Sequence, residues 1–214
     1  MGATIVEFDV RFARTGEPVV YHDADVAAGT NGSGLVDQLS LAELRQFDID
    51  GTTPGTQRYI PTLGEVLTDS KQAGAQRYII ELKTRPTASQ RRAFLGQVNA
   101  LGLSSRVVVE SFSAATLGDI ANAAPSLKRA LVASKHTDPA VVRRAGTAYV
   151  PHYSLVTGDY VRALRAAGIT EIYPWTANGT AAWKAMADAG VSGTMTDMTG
   201  IYQVARCRVA ARRY

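Results

Sequence analysis

Short apolar, β-branched runs that end on a polar residue recur along the chain after one long loop, each followed by apolar residues at helical spacing. The strand-like runs are Ile5–Phe12, Tyr78–Leu82, Val107–Glu110, Arg129–Val132, Ala148–Pro151, Glu171–Pro174 and Gly193–Thr196. Between them, Phe94, Val98 and Leu101, then Leu117, Ile120 and Ala121, repeat on one helix face. Ser40 with Glu43, and Thr62 with Glu65, place a carboxylate three residues after a hydroxyl, the signature that caps a helix start. Strands alternating with helices every ~20–25 residues imply βαβ units and a parallel sheet.

Two parallel architectures compete, an open doubly wound sheet and a closed (β/α)8 barrel. Glu7 and Asp9, Glu81 and Lys83, Glu110 and Ser111, Trp175 and Asp197 all fall at or just past the ends of strands scattered through the chain. An open sheet concentrates its ligand groups at one switch point, whereas a barrel gathers them from many strand ends onto one face. The pattern therefore predicts an α/β fold of the TIM-type (β/α)8 barrel class, although seven strands are counted and the chain starts on one of them.

Composition changes this picture little. The chain has 214 residues, 46% apolar and 20% charged, enough for one domain with a real core. Residues 1–203 are read as that domain and 204–214 as a basic tail, whose Arg206, Arg208, Arg212 and Arg213 partly set the net charge of +4. Such a tail is expected to be a solvated end, with no specific nucleic-acid partner. The single cysteine, Cys207, closes no bridge within the chain and makes no zinc site by itself. No run reaches the ~18 apolar residues of a membrane span.

Alternation along a strand projects Glu7 and Asp9 together, and Glu81 and Lys83 likewise. If the two strands are neighbours, three carboxylates converge. Like charges ~4 Å apart at an effective dielectric of ~20 repel by about 4 kcal/mol, so a proton, a cation or a metal must compensate them. All-oxygen ligation suits Mg²⁺ or Ca²⁺; rim salt bridges are the equal alternative. The Thr15-Gly16 turn brings the chain back through Val19-Val20-Tyr21, so that His22 can lie beside the carboxylates as a proton donor or acceptor, or serve structure alone. His136 and His152 fall in loops with no evident partner. Residues 27–34, rich in glycine, have neither phosphate-loop spacing and read as a flexible surface loop.

Gly2-Ala3-Thr4-Ile5-Val6-Glu7-Phe8-Asp9-Val10 and Gly16-Glu17-Pro18-Val19-Val20-Tyr21-His22-Asp23 together resemble the glycerophosphodiester phosphodiesterase family. Ile60-Pro61-Thr62-Leu63-Gly64-Glu65, Ile80-Glu81-Leu82-Lys83, Glu110-Ser111-Phe112, Trp175-Thr176-Ala177-Asn178 and Gly193-Thr194-Met195-Thr196-Asp197 extend the resemblance over nearly the whole chain. The resemblance implies a (β/α)8 barrel that hydrolyses a small-molecule glycerophosphodiester to sn-glycerol 3-phosphate and an alcohol. It implies a divalent cation, Mg²⁺ or Ca²⁺, on Glu7, Asp9 and Glu81. His22 would handle protons, Lys83 would hold the phosphate, and Trp175 would line the glycerol or leaving-group side.

The family opens with a strand ending in His-Arg and a helix beginning near Glu-Asn-Thr, and neither is present. The first βα unit is therefore expected to lie before Met1, with a partner histidine and a phosphate-binding arginine. The family's Arg-Thr-Thr after His-Asp is also replaced, near Ala28-Gly29-Thr30. A truncated, non-catalytic barrel that binds metal or phosphate is the alternative reading, and a sphingomyelinase-type phospholipase a third. Localisation stays open between exported and cytoplasmic, because any signal peptide would lie in the missing segment; oligomeric state is also open.

Overall fold

The computed structural model describes residues 5–49 and 58–199. The opening Gly2-Ala3-Thr4, the tail read at 204–214 and Cys207 lie outside the described residues. The described residues fall into two compact units, the first within Ile5–Val107 and Asn122–Leu127, the second within Val108–Ala121 and 128–199.

In the first unit, strand β1 (Ile5–Phe12) alternates as its sequence predicts, with Phe8, Val10 and Phe12 buried. The chain then turns, the Ala13 N–H donating to the Glu17 carbonyl at 2.9 Å and Gly16 adopting φ +99°, a left-handed conformation that favours glycine. Strand β2 (Pro18–Val20) returns antiparallel, with Val20 opposite Val10. The other edge of β1 pairs in parallel with β3 (Arg77–Leu82), and Asp9 lies opposite Glu81 in that register. Both expected capping boxes form: Ser40 and Glu43 start helix α1 (Leu41–Leu44), and Thr62 and Glu65 start α2 (Leu63–Gln72). Helix α3 (Ala88–Ala100) has a third box, from Thr87 and Gln90.

The glycine-rich loop is pinned rather than flexible. The Asp25 carboxylate accepts from the N–H groups of Ala27 and Gly34, and the Thr30 hydroxyl accepts from Gly32. These amides are committed to the loop itself and do not cradle phosphate. A Cβ on Gly32 would come within 2.4 Å of the Phe47 ring, so only glycine fits there.

In the second unit, β4 (Val107–Ser111), β5 (Lys128–Ala133), β6 (Ala148–Pro151) and β7 (Glu171–Ile172) pair in parallel in that order. Helices α4 (Ala114–Ala123), α5 (Pro139–Ala145), α6 (Gly158–Ala166) and α7 (Thr180–Ala189) alternate with and follow these strands. Leu117, Leu131, Val142, Tyr149, Leu164 and Ile172 form the core.

Seven strands are thus described, though not the seven expected. Six predicted runs are present, β2 is added, and Gly193–Thr196 forms no regular strand. Strand β7 also stops before Pro174, which has no N–H to offer a ladder. The extended path persists nonetheless. Tyr173 and Trp175 donate to the carbonyls of Tyr149 and Pro151, each at 3.0 Å, and the Met195 N–H reaches the Pro174 carbonyl at 2.9 Å. Bonds this sparse hold Gly193–Thr196 in place without making a ladder. No helix among the described residues is long and apolar enough to cross a membrane.

Candidate active site

The β1–β3 ladder builds the acidic site. Directly opposed residues on parallel strands share a face, so Asp9 and Glu81 stand together, and Glu7, two residues before Asp9, shares their side. Lys83 follows at the end of β3, where its backbone N–H still donates to Val10 at 3.1 Å. Its ammonium lies 3.1 Å from Asp9 Oδ1 and 3.1 Å from Glu81 Oε2. All three side chains are largely buried, with exposures of 14% for Lys83, 19% for Asp9 and 10% for Glu81.

One ammonium does not balance three carboxylates. Glu7 is pushed up to about 8, chiefly by burial although part of the residue meets solvent, then by the Asp9 and Glu81 charges, with Lys83 opposing. Burial also raises Glu81, outweighing the adjacent ammonium. Burial works against the charge on Lys83, but Asp9 and Glu81 together hold it above the ordinary lysine range. The salt-bridge alternative is therefore realised for two carboxylates, while Glu7 keeps a proton near neutrality.

Among the described residues no group of three or more His, Cys, Asp or Glu side chains is placed to hold an ion directly, and the Lys83 ammonium bridges Asp9 and Glu81. The donor chemistry still fits a hard divalent cation. It is all carboxylate oxygen, and the carboxyl with the raised pKa would be relieved by added positive charge.

His22 lies where the hairpin returns, one residue after Tyr21, whose N–H donates to the Asp9 carbonyl at 3.1 Å. Its side chain is 66% exposed and its Nδ1 pairs with Asp23 Oδ1 at 3.0 Å. The imidazole thus engages its neighbour, and the carboxylate cluster is not among its contacts.

Trp175 belongs to the second unit. Its indole N–H donates to the Val150 carbonyl at 3.1 Å, which fixes the ring. Phe112 and His152 both pack edge-on to it, with ring centroids at 5.9 and 5.1 Å. Tyr153 lies against His152 at 4.8 Å. His152 and His136 are thus not without partners: His152 also bonds Ser154 Oγ at 2.7 Å, and His136 lies 4.3 Å from the Tyr160 ring. A usable signal for His152 was its position immediately after a strand end, which Trp175 nearly shares.

Residues 1–201 match the model of the glycerophosphoryl diester phosphodiesterase family. A glycerophosphodiester phosphodiesterase of Caldanaerobacter subterraneus subsp. tengcongensis is 27% identical over 209 residues, 92% of this chain and 83% of its own. One from Bacillus subtilis is 26% identical, over 94% of this chain and 76% of its own. Among solved structures, an Oleispira antarctica phosphodiesterase in complex with its product sn-glycerol-3-phosphate superposes with a TM-score of 0.83 at 24% identity, covering 95% of this chain and 85% of that one.

Proposed function

The chain belongs to the glycerophosphoryl diester phosphodiesterase family, which makes it a phosphoric diester hydrolase, and from that premise we propose how its own residues do the work. The substrate is a glycerophosphodiester, cleaved by water to sn-glycerol 3-phosphate and an alcohol; the Caldanaerobacter and Bacillus relatives carry the name of that activity. Glu7, Asp9 and Glu81 hold a divalent cation, Mg²⁺ or Ca²⁺. When bound, such an ion neutralises phosphate charge and polarises the phosphorus–oxygen bonds.

Lys83 supports this reading in two ways. Its ammonium bridges Asp9 and Glu81 at 3.1 Å each, and its remaining N–H donors suit a phosphate oxygen. His22 serves the proton. With Nδ1 bonded to Asp23, the neutral ring carries its proton there and leaves Nε2 as the base. That nitrogen can take a proton from the attacking water and return it to the departing alkoxide. Trp175, held through Val150, offers an apolar wall to the glycerol or alcohol carbons. The glycerol 3-phosphate carried by the Oleispira protein is the product this reaction would leave.

The observation that carries the reading is the pairing of Asp9 with Glu81 across a parallel ladder, bridged by Lys83 and flanked by a Glu7 whose pKa is raised. The test is release of sn-glycerol 3-phosphate from glycerophosphocholine by the purified chain, with chelator and with Mg²⁺ or Ca²⁺ restored. Turnover lost to chelator and regained with the ion supports the reading. Turnover indifferent to chelator removes the cation, and no turnover in either condition removes the activity.

A further inference from the structure

The His152 ring reports its own tautomer. His152 is the N-cap of the short 3-10 helix Tyr153–Leu155, and its Nδ1 accepts from the Ser154 N–H at 3.4 Å while meeting Ser154 Oγ at 2.7 Å. A nitrogen that accepts from a backbone amide is unprotonated, so the neutral ring carries its hydrogen on Nε2. Nε2 makes no hydrogen bond with any described residue. The ring is half-buried and held edge-on to Trp175 at 5.1 Å. It follows directly on β6, and His152 and Trp175 are bridged in parallel register, so both rings stand at the same end of neighbouring strands. A fixed N–H donor beside a fixed indole is the pairing that recognises a polyol: the aromatic surface meets C–H groups and the donor meets a hydroxyl oxygen.

We infer that His152 is a substrate-binding residue whose Nε2–H donates to a hydroxyl of the glycerol moiety beside Trp175. This rests on the glycerophosphodiester reading above and deepens it, since it names a group that would distinguish glycerol-bearing phosphates from bare ones.

The test is a tryptophan-fluorescence titration with sn-glycerol 3-phosphate and, separately, with inorganic phosphate. His152→Asn keeps an acceptor for the helix cap but is too short to offer the outer donor; His152→Gln does the reverse. Loss of one neutral hydrogen bond predicts that His152→Asn binds sn-glycerol 3-phosphate about tenfold more weakly, with inorganic phosphate unchanged. His152→Gln is expected to stay within about threefold of the parent for both. The inference falls if His152→Asn binds both ligands like the parent, if it weakens both equally, or if His152→Gln falls as far as His152→Asn. A parent chain that binds neither ligand overturns it as well. A parent that binds sn-glycerol 3-phosphate but cleaves no diester removes the proposed activity and leaves this subsite standing.

Discussion

The acidic face of the first unit and the aromatic strand ends of the second treat their polar groups in opposite ways. On β1 and β3 three carboxylates gather, one ammonium bridges Asp9 and Glu81, and Glu7 is pushed up to about 8, chiefly by burial and then by the Asp9 and Glu81 charges. At the ends of β6 and β7, Trp175 Nε1 and His152 Nδ1 are both satisfied within the fold. The outer nitrogen of His152 makes no hydrogen bond with any described residue. The first region gathers charged side chains around one ammonium, and the second ties its ring nitrogens to a backbone carbonyl and to Ser154. Placing like charges together is costly, and Lys83 offsets that cost for Asp9 and Glu81.

The same contrast orders the experiments. The largest effect is expected at His22: alanine should lower kcat by about 10²–10⁴-fold while leaving the thermal midpoint nearly unchanged, because the ring is exposed. A normal rate in that variant, read by glycerol 3-phosphate release, would take the proton step away from the hairpin. Lys83→Met comes next. Removing one partner of a largely buried charge cluster costs on the order of 3 kcal/mol, measured by urea unfolding in chelator, and a divalent cation should recover part of it. Equal stability with and without Lys83 would mean that the acidic face is not strained.

A subtler effect separates two carboxylates of the first unit. Glu43, bonded by the Ser40 hydroxyl and backbone and by Arg14, is lowered from 4.5 to about 2. Its folded form therefore binds fewer protons than the unfolded chain, and its stabilising effect is lost as pH falls from 4.5 towards 2. Glu7 is raised from 4.5 to about 8, so its folded form binds more protons and stability falls as pH rises across that window. Urea midpoints against pH, in chelator, should fall less steeply towards acid in Glu43→Gln and less steeply towards neutral pH in Glu7→Gln than in the parent. The smallest effect is expected in the second unit. Phe112 is half-exposed and meets Trp175 only edge-on, so Phe112→Ala should cost under about 1 kcal/mol by the same unfolding measurement.

The two regions also differ in how far the sequence reveals them. Glu7 with Asp9, and Glu81 with Lys83, are spaced by two, and a period of two is what a strand converts directly into a shared face. The parallel class and the two capping boxes are local signals of the same kind. The aromatic cluster draws on Phe112, His152, Tyr153 and Trp175, which come together only once β4, β6 and β7 are aligned. No local pattern states that alignment. Gly193–Thr196 shows the converse failure, since its composition suits a strand but its backbone finds only scattered partners. The loop at 27–34 looked loose because glycine dominates it, whereas Asp25 and Thr30 fix its amides through side-chain bonds that composition conceals.

The most direct measurement is thermal unfolding of the parent chain and of Glu81→Ala, each with chelator and with millimolar Mg²⁺ or Ca²⁺. An ion that binds only the folded state raises its midpoint by mass action. The parent should rise with one of the ions and Glu81→Ala should not move. An equal rise in both, or none in the parent, would contradict the assignment of Glu7, Asp9 and Glu81 as the cation site.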